Sequence, residues 1–141
     1  MTSFTVTFDP QHFAGALHPA RGEYVETYWL PLIGPSSYLL LRALVKISED
    51  LGTYTSGPTI TTHIPLAPLV EGIGLTYRQG RNSPMNKTLD RMETFKLIER
   101  PTPNTMTVAT YLPTVTSKQL QARVPHLAAL HDLDHPQPTR A

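Results

Sequence analysis

Arg78, Arg81, Asn82, Ser83, Asn86, Lys87 and Arg91 fall within fourteen consecutive residues of a 141-residue chain. These types suit nucleic acid. Arginine pairs bidentately with guanine and asparagine with adenine in the major groove, while cations and hydroxyls meet phosphate. Ser83 is a good N-cap, and Pro84 fits the first helical position, where its missing N–H costs nothing. Met85, Leu89 and Met92 recur at i, i+4 and i+7. One apolar stripe of this kind predicts a helix over about 83–95 with the amides and cations on its other faces. Arg78 and Arg81 precede it on a Gly-punctuated turn, where phosphate is the expected contact. The same pattern also fits an ordinary amphipathic surface helix. Arg91 has a competing use, in a pair with Asp90, Glu93 or a glutamate elsewhere.

Lys96, Arg100 and Asn104 extend the set past the helix. Lys96 to Arg100 and Thr105 to Leu112 read as two short strands joined by the turn Pro101 to Asn104, with Met106, Val108 and Thr110 on one side. Thr102 and Thr105 could donate to phosphate, and a plain hairpin turn is the alternative. Charge follows the same geography. The net charge is only +1, which argues against a generally basic nucleic-acid binder. Residues 1–71 carry three basic against six acidic side chains, whereas residues 72–100 carry six against three. The result is a local positive patch on a nearly neutral chain.

Other chemistries lack support. There is no cysteine, so disulfides and thiolate catalysis are excluded. Gly72-Ile-Gly74 is not followed by the Lys-Ser/Thr of a phosphate loop. No nucleophile elbow accompanies the serines, and no carboxylate pair is placed for acid–base work. His131 and His135 have the i, i+4 spacing of a helix-borne metal pair. They stand near a Pro-rich end without a further ligand set, so solvated histidines on a fraying helix are expected. The reading is a non-enzyme without cofactor or metal. Tyr24, Tyr28 and Trp29 could stack bases, but Pro31, Leu32 and Ile33 beside them favour a packed aromatic cluster.

Around this segment the chain divides into short elements, punctuated by fourteen prolines. Phe4, Val6 and Phe8 alternate weakly, as a short strand or extended arm. Ser36 or Ser37 can cap a helix to about Asp50. Leu40, Leu44, Ile47 and Leu51 lie on one face of it, and Tyr38, Leu41 and Val45 add apolar surface elsewhere. Thr53 to Thr55 and Thr59 to Thr61 favour extended structure. Pro65 to Ile73 suits a second helix. Ser117 to about Leu133 reads as a last helix with Leu120, Val124, Leu127 and Leu130 or His131 as its stripe, kinked or divided at Pro125. The expected class is mainly α with a small β-hairpin (α+β), in the order helix, strand, helix, helix, hairpin, helix. That is the winged helix-turn-helix order.

Two stretches carry a family resemblance. Tyr28 to Leu44 runs Tyr-Trp-Leu-Pro-Leu-Ile-Gly-Pro into a leucine-rich helix, and resembles the opening of winged-helix proteins of the DnaD/DnaB-type primosomal group. Gly80 to Ile98 is similar to a segment of small helix-turn-helix proteins from actinobacterial phages and mobile elements, and Val108 to Leu130 is similar to their tail. Together these cover residues 24–131. The resemblance implies a winged-helix fold and a DNA-linked role. In the primosomal group the domain also serves self-association.

The combined expectation is a cytoplasmic protein of a bacterial host cell that binds double-stranded DNA and regulates transcription by occupying a site. The rival is an adaptor that binds a host or phage protein and little DNA. The divisions expected are an N-terminal arm (1–23), a winged-helix domain (24–115), a C-terminal helix (116–134) and a tail (135–141). The first and last helices are candidate homodimer surfaces. The longest apolar run is far too short to span a bilayer, and the first residues lack a secretory pattern, so no membrane partner is expected.

Overall fold

The computed structural model describes residues 3–51, 59–75 and 83–134. Strand β1 (Ser3–Asp9) leads to a two-residue β2 (His18–Pro19). A π-helical turn (Val25–Trp29) runs into α1 (Leu30–Ile33), followed by α2 (Pro35–Asp50), β3 (Ile60–Pro65) and α3 (Leu66–Gly72). Then come α4 (Pro84–Thr94), β4 (Ile98–Glu99), β5 (Thr105–Ala109) and β6 (Tyr111–Leu112), and the chain closes with α5 (Ser117–Arg123) and α6 (Pro125–Asp134). The fold is α+β. Among the described residues no helix is long and apolar enough to cross a membrane.

The sheet is larger than a hairpin. Its order is β3-β1-β5-β4, with β1 antiparallel to β3, parallel to β5, and β4 and β5 forming the hairpin. The segment expected as an N-terminal arm therefore supplies an internal strand. Phe4, Val6 and Phe8 alternate into the core, as period-2 geometry requires. Thr5 and Thr7 take the opposite face, where their hydroxyls meet His63 Nδ1 at 3.2 Å and the Thr61 hydroxyl at 2.9 Å.

Helix α2 is central. Leu40, Leu41 and Leu44 are fully buried, with Tyr38 and Val45 nearly so. Tyr38, Leu41 and Val45 on its second apolar face are thus covered within the chain and are not open to a second copy. The cap also differs from expectation. Gly34, at φ 86° and ψ 161°, is the N-cap of α2 and Pro35 its first helical residue, while Ser37 is buried inside the helix. A side chain at that positive φ would be strained, which explains the glycine.

The last helical segment breaks at Val124 into α5 and α6, consistent with a proline that cannot continue a helix. The buried stripe runs on across the break, from Leu120 through the partly buried Val124 and Leu127 to Ala128 and His131. His131 is fully buried while Leu130 is half exposed, so the solvated-histidine expectation fails at this position. The His131 Nε2 lies 2.7 Å from the Tyr24 hydroxyl, which in turn accepts the Val115 N–H at 3.0 Å. This network docks α6 onto the π-helical turn. Tyr28 and Trp29 are buried there, so they pack as a cluster and offer no base-stacking platform.

Candidate nucleic-acid interface

The helix with the densest candidate chemistry begins as its residues dictate. The Ser83 Oγ accepts the Asn86 N–H at 3.2 Å, and Pro84 occupies the first turn. Ser83 is itself buried, so its hydroxyl sets the start of α4 and does not reach outward. Met85, Leu89 and Met92 anchor the helix in the core, joined by Thr88, whose hydroxyl donates to the Pro84 carbonyl. Burying each of the large apolar side chains contributes about 1.5–3 kcal/mol.

Both α3 and α4 end in the same device. After α3, the Gly74 N–H donates to the Glu71 carbonyl and the Leu75 N–H to the Val70 carbonyl. After α4, the Lys96 N–H donates to the Glu93 carbonyl and the Leu97 N–H to the Met92 carbonyl. These are paired Schellman bonds, and each needs one residue at positive φ. Gly74 supplies it at 90° and Lys96 at 61°. The buried pair Met92 and Leu97 provides the accompanying apolar contact.

The outward side of α4 has three parts. Lys87 is exposed and makes no ion pair among the described residues. Arg91 is exposed yet anchored. Its Nη2 donates to the Leu32 carbonyl at 3.0 Å, and its guanidinium carbon stands 6.0 Å from the centre of the Phe95 ring. The third part, toward the hairpin, is acidic. Asp90 and Glu93 both accept from Arg100, Asp90 at 2.6 Å. The pairing expected for Arg91 is thus made by Arg100. Residues 97–100 return along the helix after the Schellman turn and bring Arg100 onto the carboxylates. Arg100 is a clamp between the hairpin and α4, not an open cation.

Asn86 is half buried at the edge of a shallow depression that it shares with Phe4, Arg100 and Pro101. Asn104 is exposed on the hairpin turn, and its carbonyl accepts the Thr5 N–H at 2.9 Å. Thr102 and Thr105 bond to each other at 2.7 Å, and Thr105 also accepts the Thr102 N–H, so both hydroxyls shape the turn. Lys96 is exposed at the far end of α4, with its carbonyl accepting from His12 Nε2 at 2.9 Å. Arg78, Arg81 and Asn82 lie outside the described residues, as does the 135–141 tail. Two contributors escaped sequence reasoning: Leu32, whose carbonyl seats Arg91, and His12. Backbone acceptors leave no mark in a sequence. The Ile33-Gly34-Pro35 punctuation was visible only as a break.

Among the described residues no group of three His, Asp or Glu side chains is arranged to hold a metal ion. In comparison with known proteins, the chain matches no family model, no curated protein and no solved structure.

Proposed function

We propose that this chain is a winged helix-turn-helix protein that binds double-stranded DNA and regulates by occupying a site. Helix α4 would lie in the major groove and the β4–β5 hairpin would lie beside it as the wing. One observation carries the reading. Helix α4 is fixed to the core by Met85, Leu89 and Met92 and leaves Lys87 and Arg91 exposed on its outward side. A reading helix needs this combination of a rigid seat and outward cations. The sequence adds Arg78, Arg81 and Asn82 shortly before it. Asn86 and Asn104 complete the contact set, at the start of α4 and at the tip of the wing.

The second reading, an adaptor for a host or phage protein, is favoured by a different observation. The wing side of α4 carries Asp90 and Glu93, and the Arg100 that faces them is already paired. That flank offers little attraction to a polyanion.

Fluorescence anisotropy on random duplex DNA at two salt concentrations separates the readings. DNA binding predicts an affinity that falls steeply with salt, because each phosphate contact releases counterions. Lys87→Ala and Arg81→Ala should each weaken it and reduce the salt slope by about one. No binding at low salt leaves the adaptor reading.

A further inference from the structure

Phe13, Trp29, Phe95 and Pro113 line an open cleft of about 470 Å³ at the C-terminal end of α4. Lys96 and Gln119 stand among its polar groups, and no carboxylate lines it. Four separate segments meet there: the loop after β1, the π-helical turn, the end of α4 and the linker into α5. The volume lies within the roughly 300–1,000 Å³ of ordinary small-molecule sites, and the wall combines these apolar side chains with Thr94, Lys96, Thr114, Thr116 and Gln119.

The backbone around the cleft is already engaged. The Lys96 N–H donates to Glu93 and the Lys96 carbonyl accepts from His12. The Pro113 carbonyl accepts the Trp29 indole N–H at 3.0 Å. Thr116 and Gln119 close a reciprocal capping box at the start of α5. Among the described residues, these groups leave no open backbone edge here for a peptide strand to pair with. Recognition falls to side chains: the flat rings of Phe13 and Phe95, and one ammonium.

Lys96 is a second, independent feature. It holds the left-handed position of the Schellman turn, at φ 61°, where glycine is the unstrained residue. Lys96 lines the cleft, as it does the neighbouring depression bounded by Glu93 and Glu99, and makes no ion pair among the described residues. Strained backbone maintained at a recognition site is a known pattern, and here it places the cleft's single cation.

We propose that this cleft binds a small arylalkyl carboxylate, with its ring against Phe13 and Phe95 and its carboxylate on the Lys96 ammonium. The site lies apart from Lys87 and Arg91 on the outward side of α4, takes Lys96 out of the expected DNA contacts, and does not depend on DNA binding.

Trp29 is the only tryptophan of the chain and lies at the cleft, so its fluorescence reports occupancy. The full chain is titrated with 3-phenylpropionate and, separately, with the uncharged 3-phenylpropionamide, using Trp29 emission and calorimetry. Expected are saturable binding of both and a preference of about three- to fivefold for the carboxylate, the scale of a partly exposed ion pair. Lys96→Gly relieves the backbone strain, so the fold is kept. It should remove the preference, so that acid and amide bind alike, while Lys96→Arg should retain the preference. Absence of saturable binding of either compound overturns the site. Equal affinity for acid and amide, or a preference that survives Lys96→Gly, overturns the anion-binding role of Lys96.

Discussion

Arg91 and Leu32 are joined across the fold: the guanidinium Nη2 donates to the Leu32 carbonyl at 3.0 Å. The contact ties α4 to the end of α1. It also leaves the remaining N–H groups of a planar, always-charged side chain on the outward side of the helix. Arg91 is therefore both a structural tie and a pre-oriented cation, whereas Lys87 is a cation alone. Arg91→Ala should lower stability by about 1 kcal/mol, the net value of one hydrogen bond, and should also weaken DNA binding. Lys87→Ala should weaken DNA binding with the melting temperature unchanged. Thermal melts and anisotropy on both variants check this. Equal melting temperatures for the two would remove the structural role given to Arg91.

Arg100 makes the opposite prediction. It bridges Asp90 and Glu93 while partly exposed, so each pair is worth at most about 1 kcal/mol, and solvent screening reduces this further. Arg100→Ala should lower the melting temperature slightly and leave the salt slope of DNA binding intact, because the side chain is committed within the protein. A slope that falls by about one would instead return Arg100 to the phosphate contacts.

The contrast between these arginines shows where sequence reasoning reaches its limit. The start of α4 was legible because Ser83, Pro84 and the Met85, Leu89, Met92 stripe are all local signals. The partner of Arg91 was not, because it is a backbone carbonyl 59 residues away. The carboxylates beside Arg91 in sequence pointed to the wrong arginine, since the turn at Lys96 brings Arg100 back over the helix. The alternation of β1 was equally readable, but its neighbours β3 and β5 are non-local. The strand therefore looked like an arm. In α6 the helical spacing left Leu130 or His131 to finish the stripe, and His131 takes the inward place, where the Tyr24 hydroxyl meets its ring nitrogen. The proposed DNA-contact set divides on the same ground: residue types are local, and whether a cation is open or paired is tertiary.

The internal position of β1 has a measurable consequence. Phe8 is fully buried on a strand paired on both sides. Phe8→Ala should cost about 3–5 kcal/mol, a large share of the roughly 5–15 kcal/mol that holds a domain together. Leu17, 81 % exposed in the same N-terminal stretch, is the control. Leu17→Ser should change stability by no more than about 0.5 kcal/mol. Denaturant unfolding of both variants tests the point. A small effect at Phe8 would mean that the segment behaves as a dispensable arm in solution.

Tyr24 makes the docking of α6 sensitive to alkali. Burial raises its phenol above the ordinary 10.0, and the nearby Tyr28 adds to this. The Val115 N–H and the Thr114 side chain oppose the rise by favouring the phenolate. Because the folded value lies above the unfolded one, the protonated phenol's contribution to stability is complete below pH 10.0. It is lost as pH rises through the folded value. Melting temperature should therefore fall through that alkaline range. The absorbance difference between the chain and Tyr24→Phe should show the Tyr24 phenol titrating later than an ordinary phenol. Tyr24→Phe loses the contacts to Val115 and His131, so it should melt lower at neutral pH, by about 1 kcal/mol for each lost bond. Its alkaline decline should be shallower, since the group that must ionise on unfolding is gone. An unchanged alkaline profile in Tyr24→Phe would show that ionisation of this phenol is not what loosens the C-terminal helices.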